Sequence, residues 1–312
     1  MSTNVLTRIA NPRESYRRAR ETVREHWLSY LLFVPTLLFL LLVVWFPFFR
    51  GVWMSFHVWP AFGETKFVGL ENYVYIFEWD TFWVSVKATL IYMTMTVIQL
   101  ALALAATLSV RKLSRFDDLA DGIFLIPYTM PPVVTGTIWL YILNPNYGPV
   151  FGWLTEWGVL SSPIYWGING DSAITVVTLV GAWTFWQFMY LIFIASIQSI
   201  PDEHYETARV YGANRIQRFT NITLPYMKSA ILIAISIRII RNLVKVSQPL
   251  QMTQGGPGYQ SSVLAILLYR FTLTQGDYGL AFTIGVIMFV LTIGFAFVFL
   301  REFNKSRGGA GE

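Results

Sequence analysis

Apolar residues in this chain do not alternate with polar ones; they gather in long runs separated by short polar stretches. Five runs, Ser29–Phe49, Ala88–Val110, Gly122–Leu143, Ser172–Ile197 and Gly279–Leu300, contain no Asp, Glu, Lys, Arg or His. A helix needs about 20 such residues to cross a hydrocarbon layer of about 30 Å. A sixth run, Ser229–Leu250, is apolar at first and then carries Arg238, Arg241 and Lys245. The pattern predicts an all-α polytopic membrane protein with six transmembrane helices. Pro127, Pro131 and Pro132 interrupt the third run, and the carbonyls they free must be satisfied by neighbouring helices or a cavity. The segment Ser261–Gln275 is too short and too polar at its end to span, and predicts an outer-surface or re-entrant helix.

Composition agrees. Of 312 residues, 54% are hydrophobic and 13% charged, about half the charge of a typical soluble domain. There is no cysteine, which excludes thiol nucleophiles, cysteine-ligated zinc and iron–sulfur clusters. The net charge of +5 is placed by topology: six Lys and Arg lie in residues 1–28, three in 111–121, four in 198–228 and three in 301–312. The intervening loops 51–82, 145–172 and 251–278 hold only Lys66 and Arg270. By the positive-inside rule both termini are cytoplasmic, the span number is even, and nucleic acid is not the partner. The first run follows a 28-residue Arg-rich tail and no small-residue cleavage site follows it, so it reads as a retained anchor. His26, His57 and His204 stand apart and predict no metal site.

The strongest local signal lies between the fourth and fifth runs, in loop 198–225. Pro201, Asp202 and Glu203 read as a helix first turn, Gly212 as its left-handed stop, and Pro225 as the start of the next membrane helix. A short charged hairpin of this kind is a rigid knob rather than a linker. Glu206, Thr207 and Ala208, then Gly212 and Ala213, then Ile222, Leu224 and Pro225 resemble the cytoplasmic signature of inner-membrane permeases of binding-protein-dependent ABC importers. Phe67-Val68-Gly69-Leu70-Glu71-Asn72-Tyr73, Trp139 with Asn144-Pro145, and Thr253-x-Gly255-Gly256-Pro257 resemble the carbohydrate-uptake branch, in the permease type with an extra first helix. Thr207 departs from the usual Ala, and Tyr211 stands where Asp is common.

The resemblance covers about residues 28–303 and implies a type I ABC importer permease fold. It also implies a heterodimer with a second homologous permease, two cytoplasmic ATPase subunits docked on Glu206, Thr207, Ala208, Gly212, Ala213, Leu224 and Pro225, and an extracytoplasmic solute-binding protein. Sugar is the implied cargo and the cytoplasmic (inner) membrane the location. The chain itself lacks a Gly-x-x-x-x-Gly-Lys-Ser/Thr phosphate loop, so ATP and Mg²⁺ belong to the partner subunits and no cofactor is bound here.

Arg238, Arg241 and Lys245 fall on one helical face, where each would cost at least about 2.5–3.5 kcal/mol against lipid. With Asn242 they predict a polar surface on the translocation path; Phe185, Gln187 and Phe188 of the fourth run either add to that path, with rings that suit sugar C–H faces and an amide to hydrogen-bond, or pack between helices. The cations hydrogen-bond a hydroxylated or anionic solute, such as a sugar acid or polyol phosphate, or else they pair with the other permease subunit or snorkel outward. The implied organisation is a cytoplasmic basic tail (1–28), a first helix with its outer loop (29–84), a five-helix permease core (85–303) and a disordered-looking tail (304–312). A secondary transporter would show acidic residues in the spans or inverted repeats, and neither is found. An intramembrane enzyme would need an acid or metal cluster. The nearest is Asp117, Asp118 and Asp121, in a short charged loop where they cap or solvate it.

Overall fold

A computed structural model describes residues 24–110 and 117–308. The N-terminal tail through residue 23, the basic loop 111–116 and the last four residues lie outside it. Among the described residues the chain is helical apart from loops and one small hairpin. It divides into two compact units at Trp53/Met54.

The first unit holds helix α1, Trp27–Met54, which ends at the boundary. It carries Pro35 inside its first part and a π turn at Leu40–Trp45. Leu32, Phe33, Leu42 and Phe49 are all exposed. A helix apolar on every side is matched to hydrocarbon rather than to water.

The second unit begins at Met54, so residues 54–84 belong to it and not to the unit of the first helix. Strands β1 (His57–Val58) and β2 (Lys66–Phe67) pair antiparallel, and a short helix α2 follows at Glu71–Glu78. The buried Asn72 amide donates to the carbonyls of Ser55 and His57, both at 2.9 Å, and Tyr73 meets Ser55 Oγ at 2.7 Å. These bonds lock the loop to its own start. The same strand meets the last helix, where Thr283 donates to Ser55 O at 3.2 Å.

Four long helices form the frame: α3 (Asp80–Val110), α7 (Gly170–Gln198), α9 (Arg215–Leu243) and α12 (Tyr278–Gly308). Helix α7 packs on α3 and on α9, and α9 packs on α12. Helix α12 continues to Gly308, past the point where a disordered tail was expected from residue 304; its apolar run simply hands over to helix-forming charged residues. Among the described residues five helices, α1 included, are long and apolar enough to cross a membrane.

The third expected span is a bent pair, α4 (Asp117–Thr129) and α5 (Pro132–Ile142), meeting at 98°. Pro127 stays inside α4, whereas the Pro131-Pro132 pair makes the bend, because a residue before proline is driven out of the helical region and Pro132 suits a first helical position. Asp121 is helical rather than in a loop, and its carboxylate accepts a hydrogen bond from Tyr190 OH. A short outer helix, α6 (Pro149–Glu156), leads on to α7.

The fifth span also differs from expectation. It stops at Leu243 instead of running to Leu250, and Ser247–Thr253 forms a separate helix, α10, packed on α5. After it, Gln254 and Gly255 take left-handed backbone and the chain turns into α11 (Leu264–Arg270), prolonged by a π turn at Phe271–Gln275. This segment is not a surface helix: Val263, Leu264, Ala265, Ile266 and Leu267 are buried, against α3 and α12.

The core of this unit is two apolar clusters. One joins the first halves of α3 and α7 to α10, α11 and α12 through Phe82, Tyr92, Ile174, Leu264 and Ile284. The other joins their second halves to α9 through Ala103, Met189, Phe193, Met227 and Ala234. Between the two lie buried Thr96, Gln99, Thr184, Gln187, Arg238, Asn242 and Gln248. A polar layer thus separates two greasy ones.

Candidate functional site

The hairpin between α7 and α9 is built from capping chemistry. Helix α8, Asp202–Val210, has Asp202 and Glu203 in its first turn and Arg209 in its last, each charge opposite in sign to the helix end it faces. Gly212 ends it at φ +78°, with its amide on Arg209 O at 3.0 Å and that of Ala213 on Ala208 O at 2.9 Å. Asn214 then opens α9 with a complete capping box: Gln217 N donates to Asn214 Oδ1 at 2.9 Å, and Asn214 N to Gln217 Oε1 at 2.8 Å. Helix α9 therefore starts at Arg215, ten residues before Pro225, correcting the expectation that Pro225 begins it. The π turn at Phe219–Thr223 opens the ladder just where Pro225 lacks an N–H. Leu224 and Pro225 belong to that continuous helix and not to the hairpin tip.

The hairpin is rooted and its tip is bare. Tyr205 is buried in the second apolar cluster and its hydroxyl meets Thr223 Oγ1 at 2.9 Å. His204 Nε2 lies 2.9 Å from Tyr226 OH. In contrast, Val210 and Tyr211 are 86% exposed and Ile216 73%, beside exposed Glu206 and Thr207. Nothing lies within 4 Å of where a Gly212 side chain would start. A fixed base carrying an uncovered apolar and acidic tip is the anatomy of a docking knob.

The second candidate region is the polar layer. Arg238, 3% exposed, donates from Nε to Gln99 Oε1 at 3.1 Å and from Nη2 to Asn242 Oδ1 at 2.7 Å. Asn242 Nδ2 donates to Thr96 Oγ1 at 2.9 Å. Gln99 and Thr96 come from α3 and complete a site that the α9 cations alone did not announce. The signal was present, since Gln99 is the lone amide in the Ala88–Val110 run.

Two rings of α7 lie against the α9 cations. The Arg238 guanidinium lies 5.2 Å from the Phe185 ring centre and 5.9 Å from that of Phe188. Arg241 lies 5.7 Å from Phe188, and Lys245 Nζ 3.7 Å from Phe185. Lys245 reaches its ring from the turn after α9 and not from the helix face; its amide bonds to Asn242 O at 3.3 Å. Gln187 does not join them. It is buried, its amide donates back to Trp183 O at 3.1 Å, and its Oε1 has no hydrogen-bond partner. Arg238 is held on all sides, whereas Arg241 is exposed and Lys245 half-buried.

Two of the other quoted motifs form hydrogen-bonded turns. Thr253, Gly255 and Gly256 form the turn from α10 to α11, closed by Ser261 Oγ on Thr253 Oγ1 at 2.7 Å and by Arg270, which donates to Gln254 O. Asn144 Oδ1 accepts from the amides of Asn146 and Tyr147 at 2.9 and 3.3 Å.

Comparison with known proteins gives consistent matches. The family described as "Binding-protein-dependent transport system inner membrane component" matches residues 97–307. The trehalose/maltose transport system permease protein of Thermococcus litoralis is 31% identical, over 89% of this chain and 94% of its own. The sulfoquinovosyl glycerol transport system permease protein of Agrobacterium fabrum is 33% identical, over 88% of this chain and 89% of its own. Among solved structures, a chain of a bacterial ABC transporter involved in the import of the acidic polysaccharide alginate superposes with a TM-score of 0.76. It is 21% identical and the match covers 92% of this chain and 99% of that one, a likeness of fold.

Proposed function

We propose, from the premise that the chain belongs to the family of binding-protein-dependent transport system inner membrane components, that it is the sugar-translocating permease subunit of an ATP-driven ABC importer. Relatives named for trehalose and maltose and for sulfoquinovosyl glycerol support a sugar or sugar derivative as cargo. Transport proceeds by alternating access, with the polar layer and the Phe185, Phe188, Arg238, Arg241, Asn242 and Lys245 cluster exposed in turn to each side. Gln187 stays within the helix bundle as a supporting residue.

The observation that carries this reading is the hairpin: a buried root and an exposed tip, Glu206, Thr207, Val210, Tyr211 and Gly212, with Ala208 and Ala213 half-buried beneath it, between two membrane helices. Such a tip fits a cleft on a cytoplasmic ATPase, with Glu206 opposite a basic group there. The sequence has no phosphate loop of its own, so ATP and Mg²⁺ are the partner's. A second homologous permease, two ATPases and an extracytoplasmic binding protein complete the assembly, in the inner membrane with both termini cytoplasmic. The basic tail 1–28 and loop 198–225 then face the same compartment.

Solubilisation of the tagged chain in mild detergent followed by mass spectrometry tests this. An ATPase and a second permease should co-purify in fixed stoichiometry, and Glu206→Ala should lower solute moved per ATP hydrolysed. A chain that comes out alone and transports in liposomes without ATP would sink the reading.

A further inference from the structure

Arg241 and Lys245 stand apart from their neighbour Arg238. Arg238 spends its hydrogen bonds on Gln99 and Asn242. The Arg241 guanidinium and the Lys245 ammonium meet no carboxylate and no hydrogen-bond acceptor among the described residues; ring faces are all they have. A ring quadrupole is a weaker partner for a cation than an anion is. Three positive charges therefore stand together over two adjacent rings, Phe185 and Phe188, one turn apart on α7, with mutual repulsion that no carboxylate among the described residues cancels.

A neutral sugar can stack on those rings and hydrogen-bond the cations, but it leaves the repulsion in place. A solute carrying a carboxylate, sulfonate or phosphate ester removes it, and the planar Arg241 fork suits two oxygens of such a group. We propose that Arg241 and Lys245, seated over Phe188 and Phe185, bind the anionic group of an acidic sugar derivative or polyol ester in transit, so that negative charge on the cargo is selected by the permease itself. This rests on the importer reading above.

The complete importer with its binding protein, reconstituted in ATP-loaded liposomes, is offered a labelled panel. Maltose and trehalose are the neutral members; glucuronosyl glucose, sulfoquinovosyl glycerol and sn-glycerol 3-phosphate carry a carboxylate, a sulfonate and a phosphate. At least one anionic member should be taken up, and the Arg241→Gln/Lys245→Gln variant should reduce that uptake tenfold or more. Arg241→Lys/Lys245→Arg keeps the charges and should restore most of it, which separates charge recognition from misfolding. Three results overturn the proposal: uptake of neutral members alone, no uptake of any member while the loaded binding protein still stimulates ATP hydrolysis, or unchanged anionic uptake in the Gln pair. ATP hydrolysis that ignores the binding protein altogether overturns instead the importer reading beneath it.

Discussion

Removing the buried charge of Arg238 should cost less than removing the neutral amide that receives it. Arg238 donates two hydrogen bonds, at 3.1 and 2.7 Å, and charged bonds of this kind are each worth about 1.5–3 kcal/mol. Its two ring contacts add about 0.5–2 kcal/mol apiece. Against these stands the several kcal/mol needed to strip a guanidinium of water. Arg238→Met deletes both sides of that balance. Gln99 Oε1, 3.4 Å from Asn242 Nδ2, keeps a donor, and only Asn242 Oδ1 is orphaned, at about 1–3 kcal/mol. Gln99→Leu keeps the charge and its desolvation cost, removes the Nε acceptor and abolishes the bond to Gly181 O. Its cost should reach about 3–5 kcal/mol, the range for stranding a buried charge. Thermal loss of monodisperse protein in nanodiscs, followed by size exclusion, ranks the two. The double variant should be more stable than Gln99→Leu alone, since the stranded charge has gone. An Arg238→Met variant at least as unstable as Gln99→Leu, or strict additivity in the double, would refute the reasoning.

Two further outcomes follow from packing and capping. Gly279→Ala would place a Cβ 2.1 Å from the His57 carbonyl oxygen, a backbone atom that cannot step aside, and should cost about 3 kcal/mol or more. Gly285→Ala, whose nearest neighbour is a movable Leu268 methyl at 3.4 Å, is the tolerated control, both read as yield of monodisperse protein. Asn214→Ala removes the capping box and should cost about 1 kcal/mol locally, lowering hydrogen-exchange protection of the Gln217 amide and solute moved per ATP hydrolysed; unchanged protection would count against the box.

Hydrophobic run length and charge placement were enough to read the membrane helices and the hairpin, because both are local properties of sequence. What the runs could not convey was where a run bends. Gly122–Leu143 looks like one span by composition, and only the steric effect of Pro131-Pro132 makes it two helices at 98°. Likewise Ser229–Leu250 divides at Val244, because α10 is held by packing on α5, a contact between distant parts of the chain. The α9 start was misplaced for the opposite reason: Pro225 is a strong local signal, overridden by the Asn214 cap and a π turn. At the site, helical spacing placed Arg238 and Arg241 on a shared face and so brought them near the rings of α7. Thr96 and Gln99 were not legible as their partners, since hydrogen bonding across 139 to 146 residues of chain leaves no pattern in sequence.

Because α9 runs unbroken for 29 residues from the hairpin turn to Leu243, it is a rod of about 43 Å, fixed at one end to a knob and threaded at the other through the polar layer. A rod converts a small rotation into a large stroke: a tilt of about 10° about one end moves the other by roughly 7 Å. That stroke arrives where Arg238 and Asn242 grip Gln99 and Thr96 on α3. Hydrogen bonds fail when their partners part by an ångström or so, so the layer acts as a latch that a stroke of this size must release.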